Sequence, residues 1–128
     1  MRHLTRHLAV AALVFAALAA GFAPAPAAAE EAKAAPQIQR VETKKVCMVN
    51  DAAFERDQIP VEVEGKTYFG CCEMCKQRLA QDAAVRAAVD PVSGKTVDKA
   101  RAVIGKRPDG SVVYFESETN LRKYATSR

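Results

Sequence analysis

Histidine is almost missing from this chain: there are two in 128 residues, His3 and His7, both at the extreme N-terminus. A transition-metal site anywhere else must therefore be built from cysteine, methionine, carboxylate or amide groups, without imidazole. Nucleophilic cysteine catalysis, which needs a neighbouring base, loses its usual partner, and so does catalytic zinc. The sequence accordingly reads as a binding protein and not as an enzyme. Basic blocks with interleaved aromatics are also lacking. Lysine and arginine alternate with aspartate and glutamate, so no nucleic acid is expected as a partner.

Long apolar runs are equally scarce, with one exception. Arg2, His3, Arg6 and His7 form a positive segment, Leu8 to Ala23 is uncharged and apolar, and Ala27-Ala28-Ala29 precedes Glu30. That is the layout of a secretory signal peptide over residues 1–29, cleaved before Glu30. The run is shorter than the roughly 20 residues that span a bilayer, and no cysteine near the cleavage point offers a lipid attachment site. The mature chain is thus expected in the periplasm or secreted, without a stable membrane anchor. Cleavage removes both histidines and leaves 17 basic against 15 acidic side chains, so the pI of about 9.0 overstates the basicity of what remains.

Residues 30–45 carry a proline, mixed charge and no convincing apolar period, and are expected to be a flexible leader. Val46-Cys47-Met48-Val49-Asn50-Asp51 is a short apolar patch ending in a turn signal, the pattern of a knuckle. From Ile59 to Phe69, apolar and polar residues alternate around Glu64-Gly65, which predicts a β-hairpin. Its second strand delivers the chain to Cys71-Cys72-Glu73-Met74-Cys75, and a helix is predicted from residue 71 to 79. Leu79, Ala80, Ala83, Ala84, Val85 and Ala88 continue with helical spacing, with Asp82 as a candidate N-cap.

Residues 90–128 repeat this layout. Ala102-Val103-Ile104 precedes the turn Arg107-Pro108-Asp109-Gly110, Val113-Tyr114-Phe115 follows it, and Ser117 is placed to cap a second helix. Laying Gly65 on Gly110 without a gap sets Glu116, Ser117 and Asn120 against Cys71, Cys72 and Cys75; a one-residue gap instead matches Tyr68-Phe69 with Tyr114-Phe115. In either register the second copy has lost its cysteines. The expected fold is therefore α+β: a hairpin–helix module over residues 46–89 in tandem with a degenerate copy over residues 90–128. The shared core is expected to hold Val61, Val63, Phe69, Leu79, Val103, Ile104, Val113, Phe115 and Leu121.

All four cysteines, Cys47, Cys71, Cys72 and Cys75, fall in the first module. Four cysteines in a small exported chain suggest disulfides first of all, since such a core needs staples. Two adjacent cysteines with a third on the same turn, however, make an awkward pair of bridges. On a helix starting at residue 71, the step of about 100° per residue would gather Cys71, Cys72 and Cys75 on one face, beside N–H groups that favour thiolate. Cys47 would close the site from the knuckle. Such a thiolate cluster suits Cu(I) or Zn(II). Met48 and Met74, candidate auxiliary ligands, tilt the choice toward Cu(I), with Zn(II) as the alternative. Cys72-Glu73-Met74-Cys75 is also a literal C-x-x-C, but the βαβ setting of a thioredoxin-like motif is missing.

One cysteine, a gap of 23 residues and then C-x3-C, preceded by Gly65-Lys66-Thr67-Tyr68-Phe69, resembles the TRASH and YHS-like metal-binding domains. Asp90-Pro91-Val92-Ser93-Gly94 with Tyr114-Phe115-Glu116-Ser117-Glu118 looks like a YHS unit whose ligand cysteines have been replaced. The resemblance covers roughly residues 46–124. It implies a treble-clef-like fold and the binding of heavy-metal ions, often in copper handling or sensing; for a protein that delivers its metal, a metal-transfer protein is the expected partner. The residues by themselves leave three readings open: Cu(I) binding, delivery or sequestration; a structural zinc module; and a disulfide-stapled periplasmic interaction module.

Overall fold

The computed structural model describes residues 38–127. The expected signal peptide lies outside the described residues; among those residues no helix is long and apolar enough to cross a membrane. In chain order the elements are β1 (Gln39–Arg40), β2 (Val46–Cys47), β3 (Ala52–Ala53), β4 (Ile59–Val63), β5 (Lys66–Gly70), α1 (Glu73–Gln81), β6 (Ala87–Val89), β7 (Thr96–Asp98), β8 (Val103–Lys106), β9 (Val112–Phe115) and α2 (Glu118–Thr126). Two nine-residue helices and four small antiparallel sheets make this a small α+β fold.

Each module consists of a knuckle, a hairpin and a helix. In the first, β2 pairs with β3 across the turn 48–51, and β4 pairs with β5. The hairpin closes through the two-residue loop Glu64-Gly65. Both residues have positive φ, 52° and 73°, as the tight turn that matches strand twist requires. In the second module, whose knuckle takes in β6 from just before residue 90, β6 pairs with β7 and β8 with β9. Gly110, at φ 86°, takes the corresponding turn position. Adding 45 to each residue number carries Gly65 to Gly110, Cys72 to Ser117 and Glu73–Gln81 onto Glu118–Thr126, so the gapless register is the one the turns and helices follow.

The two modules share a core. Val46, Met48, Val61, Tyr68 and Leu79 from the first pack with Ile104, Val112 and Tyr114 from the second, while Val113, Phe115 and Leu121 form a smaller cluster beneath α2. Six of the nine expected core residues are buried, and Val63, Phe69 and Val103 are half-buried at its edge. Val46, Met48, Tyr68, Val112 and Tyr114 join it unannounced. The two tyrosines go inside because each hydroxyl finds a carboxylate of the other module: Tyr68 donates to Asp98 at 2.9 Å and Tyr114 to Asp51 at 2.9 Å.

Three local expectations need correction. Of the stretch 30–45, read as a flexible leader, residues 30–37 lie outside the described residues, and residues 38–45 contain β1 and a 3-10 turn (Thr43–Lys45); β1 pairs with β8, and the Val41 N–H donates to the Ile104 carbonyl at 3.0 Å. Ile38 anchors the stretch by sitting against Gly105, where a Cβ would lie 2.6 Å from its Cδ1. A period too short to register in sequence is thus fixed by one tertiary contact. After α1, the alanine-rich residues form a 3-10 turn (Ala83–Arg86) and β6 instead of more helix; Asp82 does cap, accepting from the Ala84 N–H at 2.9 Å. Here β6 gains a strand partner in β7, which outweighs the helical preference of alanine. Finally, α1 begins at Glu73, not at residue 71: Cys72 is its N-cap, with extended backbone at φ −156°.

A candidate metal centre of three cysteines

The site is assembled from three pieces of chain. Cys47 ends β2 in the knuckle, Cys71 follows the last residue of β5, and Cys75 is the third residue of α1. Gly70 brings the last two together: a Cβ there would stand 3.0 Å from the Cys75 Cβ and 3.1 Å from the Lys76 nitrogen, so only glycine lets α1 start this close to the strand. The knuckle is tied to the same strand by the Met48 N–H, which donates to the Phe69 carbonyl at 2.9 Å.

The sulfurs of Cys47, Cys71 and Cys75 all lie within 4.8 Å of one another, a group close enough to hold a metal ion, and Cys71 and Cys75 are 3.7 Å apart. With metal–sulfur bonds of about 2.3 Å, a tetrahedral site needs sulfurs about 3.8 Å apart. The triad is therefore near ligating geometry, and all four cysteines are free thiols. Cys47 and Cys75 are buried and Cys71 half-buried. The donor set, sulfur without imidazole, fits a thiophilic ion.

Hydrogen bonds prepare the sulfurs unequally. Burial pushes the Cys47 thiol up, but the Asn50 N–H, the Cys71 side chain and the N–H groups of Val49 and Cys71 outweigh it and leave its pKa lowered. Burial, with the Cys47 side chain next, raises Cys71; Asn50 Nδ2 donates to its sulfur at 3.4 Å. Burial, followed by the Cys72, Cys71 and Cys47 neighbours, pushes Cys75 up to about 12. The triad thus offers one sulfur whose backbone donors favour the thiolate and two whose thiol form is favoured until a cation displaces the proton.

Cys72 stands apart. It is exposed and outside the triad, because as an extended N-cap it does not share the helical face assigned to it from the wheel. The Cys75 N–H is the main influence that lowers its pKa. Met48 is fully buried in the core, whereas Met74 is 79% exposed on α1. Glu73 lies in the first turn of α1 and pairs with Lys76 at 3.3 Å.

The second module braces the knuckle through residues that sequence reasoning missed. Lys99, itself buried, donates from Nζ to the Met48 carbonyl at 2.7 Å and to Asp51 Oδ1 at 2.6 Å. Asp51, at φ 50°, also accepts from the Tyr114 hydroxyl, and its carbonyl accepts from the Val112 N–H. An isolated lysine carries no sequence signal for such a role; Asn50-Asp51, a turn pair able to adopt positive φ, was the visible half of it. Comparison of the chain with protein-family models, with curated proteins and with solved structures finds no match to any of them.

Proposed function

We propose that this protein binds one thiophilic metal ion through Cys47, Cys71 and Cys75, with Cu(I) as the preferred ion and Zn(II) as the alternative, and that it delivers or sequesters that ion outside the cytoplasm. The observation that carries this reading is the convergence of three sulfurs, from a knuckle, a strand end and a helix start, within 4.8 Å. Three soft donors without imidazole favour Cu(I), whereas a structural Zn(II) site takes four ligands and would have to recruit another. The knuckle–hairpin–helix order and the position of each cysteine within it are in keeping with the resemblance to TRASH and YHS-like domains. The role is binding and transfer, without catalysis, and the partner is a protein that gives or takes the metal.

The test is titration of the reduced protein with Cu(I) and with Zn(II), read by native mass spectrometry. One ion per chain is expected for the wild type and none for Cys75→Ser. Bound metal should also raise the melting temperature, by about 2.7 kcal/mol of stability at a free-ion concentration one hundred times Kd. Reduced wild-type protein that takes up neither ion, alongside native material carrying two disulfides, would replace this reading with the stapled interaction module.

A further inference from the structure

Cys72 is the cysteine that the triad does not use, and its placement carries a structural cost. An N-cap side chain normally accepts a hydrogen bond from the first turn, worth about 1 kcal/mol. At the equivalent position in the second module Ser117 does this, accepting from the Asn120 N–H at 3.2 Å. Cys72 is exposed, and the Cys75 N–H, although it favours the thiolate, makes no capping hydrogen bond to its sulfur. Two residues on, Met74 is 79% exposed, the most exposed large apolar side chain among the described residues. Both line a cavity of about 320 Å³ with Val49, Asn50, Arg78 and the buried Cys75. One face of the molecule thus leads from solvent, past a free thiol and a free thioether, to a ligand of the metal triad.

We infer that this face is the transfer port of the site, where Cys72, assisted by Met74, relays the ion between the triad and a partner presenting a sulfur donor. The inference rests on the metal-binding function proposed above. The relay is ligand exchange. The Cys72 sulfur bonds to the ion as one triad cysteine lets go, and thiols of the partner then bond to it one at a time as the remaining triad sulfurs and finally Cys72 are released. Each step forms one metal–sulfur bond and breaks another, the ion keeps its charge, and the proton leaving each incoming thiol passes to the thiolate set free. Cys72 is placed for this by lining the same cavity as the triad ligand Cys75. Val49 and Met74 supply the apolar contact that would hold a partner against the port.

Stopped-flow transfer of Cu(I) from the loaded full-length protein to a bidentate Cu(I) chelator, and to a dithiol peptide, provides the test. Cys72→Ser is a safe variant, because serine is the better cap. It should keep one Cu(I) per chain with affinity within about threefold, yet release the ion to the dithiol at least tenfold more slowly; Met74→Leu should slow release by a smaller factor. Release from Cys72→Ser at the wild-type rate overturns the relay. Loss of stoichiometric binding in Cys72→Ser overturns it as well, by making Cys72 a resident ligand. Wild-type protein that binds no Cu(I) would instead remove the function on which the relay rests, an outcome visible before any transfer is measured.

Discussion

The first module ends in three sulfurs; the second, built to the same plan, ends in a carboxylate and an amide. Asp90 opens the turn between β6 and β7, where Cys47 opens the turn between β2 and β3. The N–H groups two and three residues ahead, Val49 and Asn50, and that of Cys71 act on the Cys47 sulfur and lower its pKa, the arrangement that Asp90 completes with hydrogen bonds. Asp90 Oδ1 accepts from Val92 at 2.7 Å and Ser93 at 3.2 Å, and Oδ2 accepts from the Glu116 N–H at 2.8 Å. Glu116 lies 45 residues after Cys71. The same Oδ2 also accepts from Asn120 Nδ2 at 2.8 Å, and Asn120 lies 45 residues after Cys75. Where the first module has sulfurs poised for an ion, the second closes the same knuckle onto the same helix start with a direct hydrogen bond. A buried carboxylate is costly unless every lone pair is used, and Asp90, fully buried, meets that condition with four donors. The lesson is that this architecture needs a link between knuckle and helix, and that either chemistry can supply it.

The severest way to break this comparison is to remove the second module. A fragment of residues 46–89 loses Lys99, Val112 and Tyr114 from its knuckle and half of its core, and is expected to show no cooperative thermal unfolding by circular dichroism. A folded, metal-competent fragment would mean that the first module stands without its brace. The next largest effect falls on Asp90. Asp90→Ala strands three backbone N–H groups and the Asn120 amide, and should cost about 3 kcal/mol in chemical denaturation.

Acid should shrink that difference. Burial raises the Asp90 pKa, but the Asn120 amide and the N–H groups of Glu116, Val92 and Ser93 outweigh it, so the folded value lies below the ordinary 3.8. A depressed carboxylate stabilises the fold fully above its unfolded pKa and loses that contribution as pH falls through the folded value. Wild type and Asp90→Ala should therefore differ most near neutrality and converge in acid. An equal gap at every pH would show that the residue acts by packing and not by its charge.

The smallest expected effect separates the two N-caps. Ser117→Ala should lower stability by about 1 kcal/mol, while Cys72→Ala should leave it unchanged within a few tenths, because one side chain caps its helix and the other does not. Equal losses at both positions would remove the distinction between a structural and a free N-cap.

Much of this was legible before any coordinates. The alternating residues around Glu64-Gly65, the turn at Gly110 and the Ser117 cap are local patterns, each readable because backbone preference and hydrophobic period act over a few positions, whereas the 45-residue offset was one of two registers the sequence left open. That Cys47 meets the cysteines after the hairpin was legible too, since a knuckle and a helix start flanking one hairpin leave few ways to place the sulfurs; which of those cysteines join it was not. Other features were hidden because they depend on contacts far apart in sequence: the strand at residues 39–40 exists through Ile38 against Gly105, and β6 through its pairing with β7. The helix start was also misplaced by two residues, since a wheel counts angles without knowing where the N-cap falls.

The sequence by itself determined the ligand chemistry, soft sulfur without imidazole, and the order of knuckle, hairpin and helix, because composition and short-range pattern are properties of the chain alone. Tertiary structure decided which three of the four cysteines converge, that Cys72 is left facing solvent, that Lys99 is spent on the Met48 carbonyl and Asp51, and that Asp90 and Asn120 close the second module. Those outcomes turn on the positions at which separate segments come within hydrogen-bonding or van der Waals distance, set here by the close approach at Gly70 and by a core the two modules share.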